Sequence, residues 1–240
     1  MRLPQPTFNR SPGYDRIKVV ASFAELVSTP FRDGLNALCW TRNLPGNFDE
    51  IVTGLGIVEE ITTLDEARLS ELNLSPAGQA ARKVLLEDQR LLRDCGLAPI
   101  LDCIPGYPRD TGAGPVPTDV YSFHVDSATT EADTWLCSYN VAPSEGLRNE
   151  EAMRRVDVPD TRAALLKRYG GQDDADFSVY LSENCFDLHY VPVPSAQPFS
   201  FGLGNMWRIA TAWPGSPVPP CIHRAPTTLP GQPPRLLLIS

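Results

Sequence analysis

The chain has 240 residues, 42% of them apolar and 21% charged, with a formal net charge of −8. That length can bury a full hydrophobic core as a single domain, and no apolar run is long enough to cross a bilayer. The negative balance, with no Lys/Arg cluster standing against it, argues against nucleic acid and anionic membranes as partners.

The opening residues, MRLPQPTFNRSPGYDR, lack the apolar stretch of a signal peptide, so a cytoplasmic location is expected. The next stretch, FAELVSTPFRDGLNALCWTRNLPGNFDEIVTGL, reads as helical segments broken at Pro30 and Pro45, part of a mainly helical N-terminal layer over residues 1–117. The strongest helix follows. Ser75 suits the N-cap, Pro76 the first helical position and Gly96 the stop. Between them Ala77, Ala81, Val84, Leu85, Leu91, Leu92 and Cys95 recur at helical spacing, while Arg82, Lys83, Glu87, Asp88 and Arg90 form the expected wet face.

The 24 prolines crowd into 104–117 and 192–234, where long helices cannot persist. From Thr118 onward DVYSFHVD, TWLCSYNVA, CFDLHYVPV, MWRIATAW, PPCIHRA and RLLLIS are short, β-branched or aromatic, and bounded by turn formers. They predict a β half over 118–240, interrupted by a charged insert at 144–176. Within the insert a helix is expected over 160–169, capped by Asp160 and stopped by Gly170. The insert is a candidate cover for a site, although the charges of LRNEEAMRRVDVPDTR equally fit a solvated face. The expected fold class is α+β, in one domain.

Cys39, Cys95, Cys103, Cys137, Cys185 and Cys221 form no CxxC pair and read as small thiols rather than zinc ligands or a disulfide framework. GxSxG, P-loop, HExxH and GxGxxG motifs are all missing. Trp207 and Trp213 read as core.

What remains is a constellation. In YSFHVD, residues two apart on an extended segment share a face, so His124 and Asp126 present an imidazole and a carboxylate together. His223, in CIHRAP, lies far downstream on another predicted strand. Two His nitrogens and one carboxylate on one face of a metal leave the opposite positions open, an arrangement suited to non-haem Fe(II). Arg235 follows across the turn-rich APTTLPGQPP at the head of RLLLIS, and its planar fork can take the far carboxylate of a chelating dicarboxylate. Arg224 is a rival anchor but faces away from His223 on an extended strand. Arg208 is a second rival that the sequence leaves open. His189 reads as a packed strand residue rather than a ligand.

The order His-x-Asp, distal His, then Arg at the head of a final strand resembles the Fe(II)/2-oxoglutarate-dependent dioxygenases. The resemblance covers about residues 118–240. It implies a C-terminal double-stranded β-helix, the cupin-like jelly roll, in which His124, Asp126 and His223 are the iron ligands. Arg235 would then bind the far carboxylate of 2-oxoglutarate as co-substrate. The implied activity is an O2-dependent oxidation, most simply hydroxylation, of an unactivated C–H bond in a small-molecule substrate. Many members carry a hydroxyl residue two positions after the Arg; here Leu237 stands there, and Tyr139 is the expected substitute. Two alternatives stay open: an iron oxygenase that does not use 2-oxoglutarate, and a non-catalytic cupin-like binding module whose His and Asp serve recognition only. Trp40 and Arg42, the His-x-Asp and the HRAP together are also similar to an uncharacterised bacterial protein family.

Overall fold

Short apolar runs bounded by Pro, Gly and Asp become strands, and one long amphipathic run becomes the main helix. The computed structural model describes residues 14–56, 58–112, 114–229 and 231–240. The chain runs β1 (Ile17–Val20), α1 (Phe23–Ser28), β2 (Ala37–Trp40), α2 (Asp49–Leu55), β3 (Thr62–Thr63), α3 (Glu66–Glu71), α4 (Pro76–Asp94) and β4 (Ile100–Ile104). It continues through β5 (Phe123–His124), β6 (Asp133–Ser138), β7 (Glu145–Leu147), β8 (Ala152–Arg154), α5 (Pro159–Tyr169), α6 (Ala175–Glu183) and β9 (His189–Pro192). The last strands are β10 (Phe199–Ser200), β11 (Met206–Ala210), β12 (Ile222–Arg224) and β13 (Arg235–Ile239). The structure is a mixed α+β fold of two sheets, with six α-helices among the described residues. No helix among those residues is long and apolar enough to cross a membrane.

Helix α4 forms where its signals lie. The Ser75 side chain accepts from the Ala77 and Gly78 N–H groups, Pro76 opens the helix, and Gly96 takes a left-handed φ of 79° just beyond its end. Ala81, Leu85 and Leu92 pack against Leu38, Leu101, Trp135, Leu236 and Leu238 of the larger sheet. Each large apolar side chain fully buried in this way contributes about 1.5–3 kcal/mol. Asp88 departs from expectation: it does not join the wet face but is buried at 2% exposure. The Arg42 fork meets it with bonds of 2.6 and 2.8 Å, and the Tyr139 hydroxyl donates to it at 2.7 Å. A carboxylate so neutralised can sit on an apolar face.

The N-terminal layer is less helical than expected. ALCW, read as part of a helix, is strand β2, which pairs parallel with β1 and antiparallel with β11. A short wholly apolar run has no periodicity to separate a buried strand from a helix fragment. Strand β4 likewise precedes Thr118, where the β half was expected to begin. Residues 1–13 of the expected layer lie outside the described residues.

The seven-stranded sheet has the order β1-β2-β11-β6-β13-β4-β3, and the six-stranded sheet β10-β7-β12-β5-β9-β8. From β4 the chain passes to the other sheet at β5, back at β6 and over again at β7. After an excursion it resumes with β10 beside β7 and alternates once more through β11, β12 and β13. Ile104, Leu136, Trp207, Ile209 and Leu237 of one sheet share a core with Phe199, Phe201 and Cys221 on the side of the other. Strand parity therefore sorts β13: Leu236 and Leu238 face α4, whereas Arg235 and Leu237 face the space between the sheets. Trp207 fills that core as expected, while Trp213 is only half-buried. None of the six cysteines is in a disulfide; Cys95 and Cys185 are exposed and the others buried.

The excursion between β7 and β10 spans 148–198 and so runs well past the insert expected at 144–176. Helix α5 is present and stops at left-handed Gly170, but Val158 occupies its N-cap and Asp160 sits in the first turn. Helix α6, capped by Asp174, was not foreseen. Val116, Val156, Leu165, Phe177, Leu181 and Phe186 form a core of their own there. Pairing of β8 with β9, and of β9 with β5, stitches the excursion into the six-stranded sheet.

Candidate metal centre

The three histidines of the chain lie in one row. On the six-stranded sheet His124 stands opposite His223 on one side and opposite His189 on the other, and His223 stands opposite Gly146. Directly paired residues share a face. The His124 and His223 ring centroids are 4.6 Å apart. The small Gly146 leaves room for Phe199, whose ring reaches within 2.2 Å of where a Cβ would stand.

Backbone carbonyls set the tautomers. His124 Nδ1 lies 2.8 Å from the Ser122 carbonyl oxygen and His223 Nδ1 lies 3.3 Å from that of Cys221. A carbonyl only accepts, so each Nδ1 carries the proton, and in the neutral imidazole each Nε2 then keeps its lone pair for a ligand. Asp126 follows β5 and accepts from the Thr134 hydroxyl at 2.5 Å, and its Oδ2 lies 3.7 Å from His223 Nε2. One ligand atom from each of His124, Asp126 and His223 lies within 4.8 Å of the other two. Burial, reinforced by His223, pushes the His124 pKa down to about 4, which keeps it in the neutral, ligating form. Burial alone would raise Asp126, but His223 and the Thr134 hydroxyl outweigh it and hold the carboxyl below its usual range. Two imidazole lone pairs and one carboxylate on a half-buried face fit a divalent transition metal with open positions.

Arg235 enters from the opposite sheet. It is 5% exposed, yet its Nη2 donates only to the hydroxyls of Ser138 and Ser144, each at 2.7 Å, and its Nε has no partner. Burial lowers its pKa, opposed by neighbouring Tyr107 and Cys137; no carboxylate acts on it. With Ile104, Tyr107, Val141, Ala142 and Thr228 it lines a small cavity. Val141 holds φ at 39°, a region that β-branched residues rarely adopt. The neighbouring Asn140 ties this bend to β13, accepting from Leu236 N–H and donating to the Pro234 carbonyl.

The rival anchors are engaged elsewhere. Arg224 pairs with Glu145 and covers the Phe123 ring. Arg208 pairs with Asp133 and donates to the carbonyls of Leu26, Val27 and Thr29. Tyr139, expected to supply a hydroxyl near Arg235, lies on the other face of the sheet, stacked on Phe48 and bonded to Asp88. The cause is parity, since Tyr139 continues the extended chain one residue past the end of β6 and so points to the face opposite Ser138. Ser138 is the neighbour that faces in, and it stands opposite Leu237, the position that lacks a hydroxyl. Sequence reasoning missed Ser138, Ser144, Thr134 and Tyr107. Only the alternation of β6, with Leu136 apolar and inward, could have pointed to Ser138. No known protein family, curated protein or solved structure matches the chain.

Proposed function

We propose that this protein is a non-haem Fe(II)- and 2-oxoglutarate-dependent oxygenase acting on a small molecule. The observation that carries the reading is the convergence of His124, Asp126 and His223 with both Nε2 lone pairs left free by carbonyl-bound Nδ1 groups. Strand order adds support. Counting β4, β5, β6, β7, β10, β11, β12 and β13 as one to eight and leaving the other five strands aside, the sheets read 1-8-3-6 and 2-7-4-5, an order compatible with a jelly roll made from two Greek keys. The metal residues then lie on and beside strands two and seven, and Arg235 opens strand eight, as the resemblance implies for a double-stranded β-helix.

His124, Asp126 and His223 would hold the iron. Iron bound there, with 2-oxoglutarate and O2, supplies the oxidation of an unactivated C–H bond, coupled to loss of carbon dioxide and formation of succinate. Arg235 supplies a full positive charge and an open Nε–H for the far carboxylate. Each serine hydroxyl accepts from Nη2 and keeps its own proton to donate to a second carboxylate oxygen. Thr134 holds Asp126 in place, and the two carbonyls hold the imidazoles. The apolar wall of Ile104, Leu237 and Phe201 keeps bulk water from the site.

An anaerobic titration of metal-free protein with Fe(II), then 2-oxoglutarate, tests the reading. The expected result is a weak visible charge-transfer band that is lost in His223→Ala. Iron bound without a band points instead to an oxygenase that does not use 2-oxoglutarate. Failure to bind iron overturns the proposal in favour of a binding module.

A further inference from the structure

The flank of the centre beside His124 holds polar groups that the iron site does not use. His189 stands directly across from His124, with the ring centroids 5.8 Å apart. It is 5% exposed, yet its Nδ1 meets no hydrogen-bond partner. Buried polar atoms are normally satisfied. Where Asn36, Asn47 and Gln89 leave one buried atom unpaired, each bonds through its other side-chain atom. The Ser122 hydroxyl, two residues before His124, is likewise buried without a partner.

Arg155 begins a short 3-10 turn, Arg155–Asp157, just before α5; it directly follows Arg154, which stands opposite Tyr190 in the antiparallel β8–β9 pair, so it comes alongside His189, on which its charge acts. Its Nε is buried without a partner, and burial lowers its pKa with no acid to compensate. Three of the four other arginines of the excursion are paired with acids: Arg154 with Asp157, Arg162 with Asp173 and Arg148 with Glu151. The acids that act on His189 are committed. Asp110 accepts from the N–H groups of Gly112 and Thr118, and Asp119 from those of Tyr121 and Ser122.

We propose that His189 and Arg155 form an oxyanion subsite beside the metal centre that takes a carboxylate or phosphate group of the primary substrate. The guanidinium supplies charge and donors in a fixed plane, and the imidazole supplies one directed bond. As a substrate subsite it rests on the oxygenase reading; as an oxyanion site it needs no iron. The excursion would thereby carry the recognition of substrate charge, while Arg235 on β13 serves the co-substrate.

With three histidines in the chain, ring nitrogens are a resolved reporter. Metal-free protein labelled with 15N-histidine is titrated with sodium acetate and, separately, with sodium phosphate, after assignment by replacing each histidine in turn. The His189 signals are expected to shift saturably, with the stronger response to acetate for a carboxylate substrate and to phosphate for a phosphate ester. Arg155→Gln should abolish the anion-dependent shift, Arg155→Lys should retain a weakened one, and Arg235→Gln should keep it. His189 signals that ignore both anions, or that respond equally in Arg155→Gln, overturn the proposal. Because no iron is present, failure of the iron reading shows only in the Fe(II) titration and does not confound this result.

Discussion

Replacing Arg235 with Met separates a ligand-binding arginine from a structural one. A buried ion without a counter-charge carries an effective desolvation penalty of several kcal/mol, and Arg235 offsets it with two serine hydroxyls and neighbouring Tyr107, not with a carboxylate. Charge-assisted bonds of that kind contribute about 1.5–3 kcal/mol each. Gains and losses nearly cancel, so Arg235→Met is expected to lie within about 2 kcal/mol of wild type without ligand. Arg42 is the contrasting case: it is met by Asp88 through two bonds, and Asp88→Ala leaves it unpaired. That loss is expected to cost about 3–5 kcal/mol.

Thermal unfolding of both variants, with and without 2-oxoglutarate under anaerobic Fe(II), measures the difference. Ligand at a hundred times its Kd stabilises by about 2.7 kcal/mol, which in a chain of this size raises Tm by about 5–10 °C. Wild type should show that rise and Arg235→Met should not. An Arg235→Met protein as unstable as Asp88→Ala, or one that keeps the rise, would refute the assignment of Arg235 to an anion.

Thr134→Val removes the hydroxyl that holds Asp126 and should weaken metal binding about 10–100-fold with the fold retained; a Co(II) titration that matches wild type contradicts the role given to Thr134. Tyr139→Phe should leave 2-oxoglutarate binding untouched and lower stability by about 1–3 kcal/mol, because buried Asp88 loses a donor; reduced co-substrate affinity would return Tyr139 to the site. Gly146→Ala places a methyl group inside the Phe199 ring position and is expected to cost about 1–3 kcal/mol by overpacking. Near-ultraviolet circular dichroism and denaturant titration check this, and an undisturbed midpoint would show that the ring can move aside.

The parts of this protein legible in its sequence are those whose signals are local. Ser75, Pro76 and Gly96 bound α4 because caps act within a turn of the helix they end. His124 and Asp126 stand together because an extended pair two apart needs no distant partner. His223 and Arg235 were placed by order along the chain, and the pairing that sets His223 opposite His124 came only with the structure. What failed depended on long-range register. Tyr139 and Ser138 are adjacent in sequence, and which one faces the site follows from how β6 pairs with β13. Asp88 looked exposed because its neutralising partner, Arg42, lies on a different element. ALCW carries no period to betray a strand, and α6 was obscured by the charged DDAD that caps it.

The unequal treatment of buried cations yields a sharper test of what the cavity is for. Arg42 has a carboxylate, whereas Arg235 has hydroxyls where a carboxylate would fit. If stability alone had shaped the site, an acid at Ser144 would serve better. Ser144→Asp brings a fixed negative charge to a guanidinium nitrogen that the hydroxyl already approaches within 2.7 Å. A charge-assisted bond there should contribute about 1.5–3 kcal/mol, so the ligand-free variant should melt above wild type. The same carboxylate would occupy the place of the co-substrate's own and repel it, so 2-oxoglutarate should no longer raise Tm while Fe(II) still binds. A gain in stability with co-substrate binding lost marks the unpaired cation as the cost of keeping an anion site open. Destabilisation with binding retained would mean that the cavity beside Arg235 is not where the dicarboxylate ends.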